Sequence, residues 1–572
     1  MAARDLLEKA VAADPQQALA HSALAAAWQT LGYDTKAQEE AKQAFTLSAN
    51  LPREARLVTE GVYREMSHEP EKAVDVCRIL WGYFPDNPDY GIRLAVAQTS
   101  AGHMKEAMAT LEALRKLPSP TRDDARIDVQ ETMTARAMSD TKRELAAAAR
   151  AAAKGRSQGA RLLVARARTM EGAAYWDLGQ YEQARSAFED GKRIYAEAGD
   201  GLGVGEALNG MAIVLQEQGN LSAAAETYKE SIEALRKVGN KLVLASALGN
   251  LGTLLEAEGK LSEAKKMYQE ALGISREIGN KSLAGTDMDC IANVLLAEGN
   301  LGAAKQAYVE SLKIHREIGD RRSVAFDLSN LGALAEVQGD INGAMEFSEE
   351  SLKIFRGIGY RYGMAQDLRN MAGLLTDQGN LSGARNRAEE SLAIYKEMGN
   401  RTGISDDLVR LALVAMEEGR FVGAEAQAKQ AAQEYSAEKA STNEAVALDI
   451  LAESLLRQGR MVEAQSTIDR AAMLSEKSDD RGTRLGVAIT GARVRAATGK
   501  PSEATKSLEN VLIEATKLGR VDVQFESLLA LGEIEMRSGK PTAGRARLAT
   551  LQKEAEAKGY RLLARKAATA KE

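Results

Sequence analysis

At 572 residues, with 45% hydrophobic and 27% charged side chains, the chain has the composition of an ordinary folded protein, which excludes disorder. Aromatic residues make up only 5%, which favours closely packed, alanine-rich helices over strands. The formal charge of −6, with acids interleaved among bases, leaves no basic stripe of the kind that neutralises nucleic-acid phosphates.

Residues 1–15 carry Ala3, Leu7, Ala10 and Pro15 in the pattern of a second helix and closing proline whose first helix is missing. A stack should begin with a polar-faced cap, so this pattern implies a chain cut inside its first repeat. The same stretch has acidic residues and no apolar core of signal-peptide length. Nowhere do about 18 apolar residues run together, so no membrane span and a cytoplasmic location are expected.

Residues 16–160 predict four less regular helix hairpins. Small residues pair across them: Ala25 with Ala37, Gly61 with Ala73, Ala95 with Ala107, and Ala135 with Ala147. Pro52, Pro85 and Pro118 each follow a second helix, as expected of a residue that cannot continue one. Trp28 and Trp81 are expected to fill core gaps. The basic cluster Lys142, Arg150, Lys154 and Arg156 reads as a solvated helix face. Cys77 and Cys290 have no disulfide or zinc spacing and read as buried free thiols.

Residues 161–560 repeat a pair of small residues ten times in a 40-residue frame, from Gly172 with Ala184 to Gly532 with Gly544. Such a period marks stacked supersecondary units. In residues 241–280, Leu244, Leu248, Leu251 and Leu255 form the apolar stripe of a first helix, which Gly259 ends. Leu261, Ala264, Tyr268, Ala271 and Leu272 mark a second helix, ended by Gly279, with Asn280 as a turn residue. The pair Gly252 and Ala264 lies where the two backbones approach most closely, and a larger side chain would overpack that contact. Asn220, Asn300, Asp340 and Asn380 are placed to cap second helices. Residues 561–572 read as a basic, alanine-rich helix capping the last hairpin.

This arrangement of small, large and small residues (Gly172, Tyr175, Ala184 and Phe188; Gly252, Tyr268 and Ala271) resembles the tetratricopeptide repeat. The proline that often closes that repeat is missing from the 40-residue units. The longer second helix through Ile274–Gly279 resembles the repeats of kinesin light chain and of Leu-Gly-Asn-rich proteins, with Leu248-Gly249-Asn250 as that tripeptide. The stretch Ala18–Pro52 resembles arrays attached to bacterial serine/threonine kinases and winged-helix regulators, in which the array senses or docks. The resemblance implies an all-α, right-handed superhelical solenoid of roughly fourteen antiparallel hairpins that binds a protein or peptide in its concave groove.

Catalytic signatures are missing. The histidines His21, His68, His103 and His315 are scattered, without metal spacing or a Cys–His neighbourhood. His315 stands where sister repeats have Phe355 and Tyr395, and reads as a helix-face histidine. Gly201-Leu202-Gly203-Val204-Gly205 looks like a nucleotide loop by composition, but no strand precedes it and it reads as an inter-repeat turn. Neither enzyme activity within the chain nor a cofactor or metal is expected.

In the family that the repeats resemble, first helices line the groove. The resemblance therefore implies a binding file at Asn250, Asp289, Asn293, Ser329, Asn330, Arg369, Asn370 and Arg410. Asparagines can pair with an extended peptide backbone, and the arginines can fork onto a carboxylate. A column of Asp287, Asp327, Asp367 and Asp407 reads as favourable charge near helix N-termini, with Lys281, Arg321, Arg361 and Arg401 upstream. Nucleic-acid binding by a helical-repeat array, and self-association through the terminal repeats, are the alternatives, the first opposed by the acidic balance.

Overall fold

Leucine and alanine at three- and four-residue spacing, interrupted every twenty residues by a turn, leave the backbone one inexpensive way to satisfy its polar groups, which is paired helices. A computed structural model describes residues 2–138, 140–258, 260–437, 440–476 and 480–572. Among these residues there are thirty α-helices, two single 3₁₀ turns at Ser48–Asn50 and Thr121–Asp123, and no strand. Gly259, read above as a helix stop, lies outside the described residues. Gly279 and Gly319 hold the left-handed conformation expected of such stops, at φ +74° and +72°.

The hairpin of Lys241–Ala257 and Leu261–Glu277 shows why the small pairs recur. Ala264 is completely buried, and a Cβ on Gly252 would stand 2.6 Å from the Tyr268 ring. Gly172 bears the same relation to Phe188, at 3.0 Å. The first small residue in these two hairpins therefore makes room for an aromatic ring from the second helix. In the last hairpin, a Cβ on Gly544 would lie 3.0 Å from the Gly532 carbonyl oxygen, the close backbone approach the sequence suggests.

The caps fall where expected. Asn220, Asn300, Asp340 and Asn380 each accept from the backbone N–H three residues on, at 3.4, 3.3, 2.9 and 3.1 Å. The first helices are capped as well. Asn240, Asn280, Asp320 and Asn400 accept from Val243, Leu283, Ser323 and Gly403. Gly201–Glu217 is one helix capped by Asp200, so the glycine-rich stretch is a first helical turn and not a loop. Its glycines admit neighbouring side chains: a Cβ on Gly203 would meet the Tyr195 ring at 2.3 Å, and one on Gly205 would meet Leu235 at 2.6 Å.

The helices gather into two compact units, one ending at Asp287 and the other spanning Met288–Glu572. The first contains the four less regular hairpins, whose paired Ala25, Ala37, Ala73, Ala95, Ala107, Ala135 and Ala147 are all buried. Its early and late turns touch: Asn240 Nδ2 donates to the Thr30 carbonyl at 3.0 Å, and Asn280 Nδ2 to Asp34 at 3.0 Å. The basic cluster of this unit is not merely solvated. Arg150 and Lys154 reach Asp128 on the preceding helix at 3.0 and 2.7 Å, and Arg143 reaches Glu131 at 2.7 Å. Asp128 and Glu131 are buried; burial pushes both carboxyls up, but the surrounding cations hold them below the usual range.

The second unit also meets itself. The Tyr560 hydroxyl donates to the Glu336 carbonyl at 3.2 Å, and the Arg565 guanidinium to the Gly379 carbonyl at 3.1 Å. One continuous apolar cluster joins Ala335, Ile341 and Leu374 to Phe525, Leu548, Tyr560 and Leu563. The final helix, Arg561–Ala570, therefore covers the last hairpin and also lies against helices far earlier in the chain.

Candidate binding groove

The aspartate column occupies the seam between successive hairpins. The first helices begin at Lys281, Arg321, Arg361 and Arg401, so Asp287, Asp327, Asp367 and Asp407 stand beyond the first turn, where helix-end charge no longer acts. Asn280, Asp320 and Asn400, the residues before three of these helices, supply the caps instead, while Tyr360 before the fourth makes no side-chain cap. All four aspartates are buried. Asp287 accepts from Ser275 Oγ at 2.8 Å, Asp327 from Ser311 Oγ at 2.9 Å, and Asp367 from Ser329 Oγ. Ser391 Oγ instead donates to the Ala365 carbonyl, and neither Asp407 oxygen has a hydrogen-bond donor among the described residues. Burial pushes Asp287 and Asp367 up to about 6 and Asp407 up to about 7.

The predicted groove residues fall on first helices and are largely tied to their neighbours. In the first unit, Asn250 Nδ2 donates to Asn209 Oδ1 at 3.2 Å. In the second, Asn293 Oδ1 accepts from the Tyr308 hydroxyl at 2.5 Å. Ser329 is buried against Ser351 Oγ at 3.0 Å, and so is part of the seam. Arg369 pairs with Asp406 at 2.7 Å and lies over the Tyr395 ring. The Arg410 guanidinium lies against Gly373 and faces Glu336 and Asp377 electrostatically. Asn330 and Asn370 are half-buried on the same helices. Asp289 lies beside Asp327 and His315. His315 lies on its second helix as expected, on a face that is buried: it is 1% exposed, with Nδ1 2.7 Å from Asp327 Oδ2.

Further along the second unit, first helices and the final helix enclose a cavity of about 910 Å³. Leu413, Met416, Ile450, Ile489 and Leu529 give it apolar walls, and Asp449, Glu453, Arg493 and Glu526 place charges among them. Arg493 donates to Glu526 at 2.8 Å, Arg457 to Glu453 at 2.8 Å, and Lys566 of the final helix to Glu417 at 2.6 Å. Asp449 Oδ1, Glu453 Oε2 and Arg493 Nε are buried without a hydrogen-bond partner among the described residues. Burial, with Glu453 nearby, pushes Asp449 up to about 7. Burial works against the Arg493 charge, but Glu453, Glu526 and Glu533 raise its pKa.

Sequence reading missed these cavity residues, although the repeat frame contains them. Asp449 stands four repeats after Asp289, and Glu453 and Arg493 stand four and five repeats after Asn293. The signal was the same column, followed past Arg410.

Antiparallel helix pairs in a 40-residue frame, with small residues at each crossing, define a tetratricopeptide-repeat array. Comparison with known families agrees: residues 282–563 match the MalT-like TPR region, and residues 163–237 and 203–277 match the tetratricopeptide repeat. Solved structures similar to the chain include BtubC (BKLC) from P. vanneervenii, 18% identical, covering 39% of this chain and 91% of that one at a TM-score of 0.33. Another is a Rap protein complexed with competence and sporulation factor, 14% identical, covering 60% of this chain and 98% of that one at a TM-score of 0.43. No curated protein matches the chain in sequence. Among the described residues, no helix is long and apolar enough to cross a membrane.

Proposed function

We propose that the chain is a protein-interaction scaffold, the regulatory or sensing region of a larger bacterial signalling protein, which holds a peptide segment of its partner against first helices. The cytoplasm is the compartment this reading implies. The observation that carries it is the set of buried, unpartnered polar atoms around the second unit's cavity, Asp449 Oδ1, Glu453 Oε2 and Arg493 Nε. Unsatisfied buried polar atoms each cost about 1–3 kcal/mol, and a bound ligand would relieve that cost. Two carboxylate oxygens accept and one guanidinium N–H donates, so a segment with a basic side chain and a free carbonyl suits the wall. Asn330, Asn370 and Arg410 extend the same face with further donors and acceptors. The match of residues 282–563 to the MalT-like TPR region supports a sensing or docking part.

The test is affinity capture of partners from a bacterial lysate on the full chain, identified by mass spectrometry and then titrated with purified components. Paired variants D449N/E453Q and N330A/N370A should each weaken binding by roughly tenfold or more, with unchanged far-UV circular dichroism. Equal affinity in wild type and both variants would remove the groove from the account.

A further inference from the structure

We propose that Asp289, His315 and Asp327 form a binding site for one divalent transition-metal ion of the zinc class, at the seam of three successive helices in the second unit. One ligand atom from each residue lies within 4.8 Å of the other two. The three residues come from Lys281–Ala297, Leu301–Ile318 and Arg321–Val337. Asp327 is 0% exposed and His315 is 1% exposed, while Asp289 is half-buried.

The pairing of Asp289 with His315 is peculiar to this hairpin, although Asp449 repeats the acid four repeats later. Where Asp289 stands, the flanking repeats have Gly249 and Ser329; where His315 stands, they have Ser275 and Phe355. In no other 40-residue repeat does an acid at the first position accompany a histidine at the second. Packing does not demand the histidine, because Phe355 and Tyr395 fill the same position while buried to 0% and 1% exposure.

The cluster has the charge and the donors of a metal site. Two carboxylates and a neutral imidazole balance a dication, and a nitrogen–oxygen donor set suits zinc. Asp289 Oδ1 is buried with no hydrogen-bond donor among the described residues. Ser311 Oγ donates to Asp327 Oδ1 at 2.9 Å, an outer contact that orients the carboxylate. Zinc–ligand bonds of about 2.0–2.2 Å bring ligand atoms to roughly 3.4 Å from one another. An ion held from His315 Nδ1 and Asp327 Oδ2 would therefore replace their 2.7 Å contact, and with Asp289 it would staple one hairpin to the next.

Equilibrium dialysis of the metal-stripped full chain against Zn²⁺, and titration with Co²⁺ followed by visible absorption, test the site. The wild type should bind one equivalent, show ligand-field absorption with Co²⁺, and melt at a higher temperature when Zn²⁺ is present. H315F and D289S install residues that neighbouring repeats already carry, so both should fold. Each should lose at least about a hundredfold in affinity, while H103N, beside exposed Glu71, should bind as wild type does. No bound equivalent in the wild type, or equal binding by H315F and D289S, would overturn the site and leave a proton-sharing cluster in its place.

Discussion

The Tyr560 hydroxyl donates to the backbone carbonyl of Glu336, 224 residues earlier in the chain, across 3.2 Å. The ring stands edge-on to Phe525 at 5.4 Å and is 3% exposed. Removing the ring empties the junction where the second unit meets itself, and Tyr560→Ala should cost about 3–5 kcal/mol. Tyr560→Phe, which loses only the hydrogen bond, should cost about 1 kcal/mol. Urea denaturation of the full chain, with hydrogen exchange to locate the affected unit, checks both values. The effect should be confined to helices after Met288.

Two glycines in one helix should respond with opposite signs. Gly252→Ala drives a methyl into the Tyr268 ring and should destabilise by about 1–3 kcal/mol. A Cβ on Gly249 would meet only Asp287 Oδ1, at 3.9 Å. Gly249→Ala should therefore stabilise the chain by up to about 1 kcal/mol through helix propensity. Thermal unfolding of the two variants side by side decides the matter.

Asp407 gives the second unit a dependence on pH of predictable sign. Burial pushes its folded-state value up to about 7, against roughly 4 in an unfolded chain. Between those values the folded state holds the extra proton, so the stability contributed by this group falls as pH rises through the window. Asp407→Asn should shrink the loss of stability between pH 5 and pH 8 by about 1–3 kcal/mol, read from urea midpoints. An unchanged loss would mean that Asp407 is ionised throughout.

Asp128 predicts the opposite trend in the first unit. Burial raises its pKa, but Lys154, Arg150 and Arg115 outweigh that and hold it low. Its contribution is present above the unfolded value and disappears as pH falls through the folded one. Asp128→Asn should cost about 1–3 kcal/mol at pH 7, less than for a fully enclosed pair because the cations are partly solvated. The variant's deficit should narrow on acidification, measured as the difference in urea midpoint between pH 7 and pH 3.

The hairpin was legible in the sequence because everything that makes it is local. Gly252 with Ala264, the caps at Asn300 and Asp340, and the stop at Gly279 each act within one repeat. The aspartate column was legible as a column but misplaced along the helix, because Asn280 and Asp320 already take the capping role. The seam bonds from Ser275 to Asp287 and from Ser311 to Asp327 depend on how one hairpin faces the next. Residue spacing does not specify that facing. The junction of Tyr560 with Glu336 is harder still, since it rests on small rotations summed over many helices. The columns proposed for the groove end at Arg410, and the same repeat frame continues them to Asp449, Glu453 and Arg493.

Arg565 reaching the Gly379 carbonyl has an evolutionary corollary. An open array can gain or lose a copy by unequal recombination, since each module meets only its neighbours. In Met288–Glu572 such an event between Gly379 and Arg565 would carry the tail past its landing place by one full module. A gain or loss of one module there would therefore break this contact, whereas point substitution within modules leaves it in place.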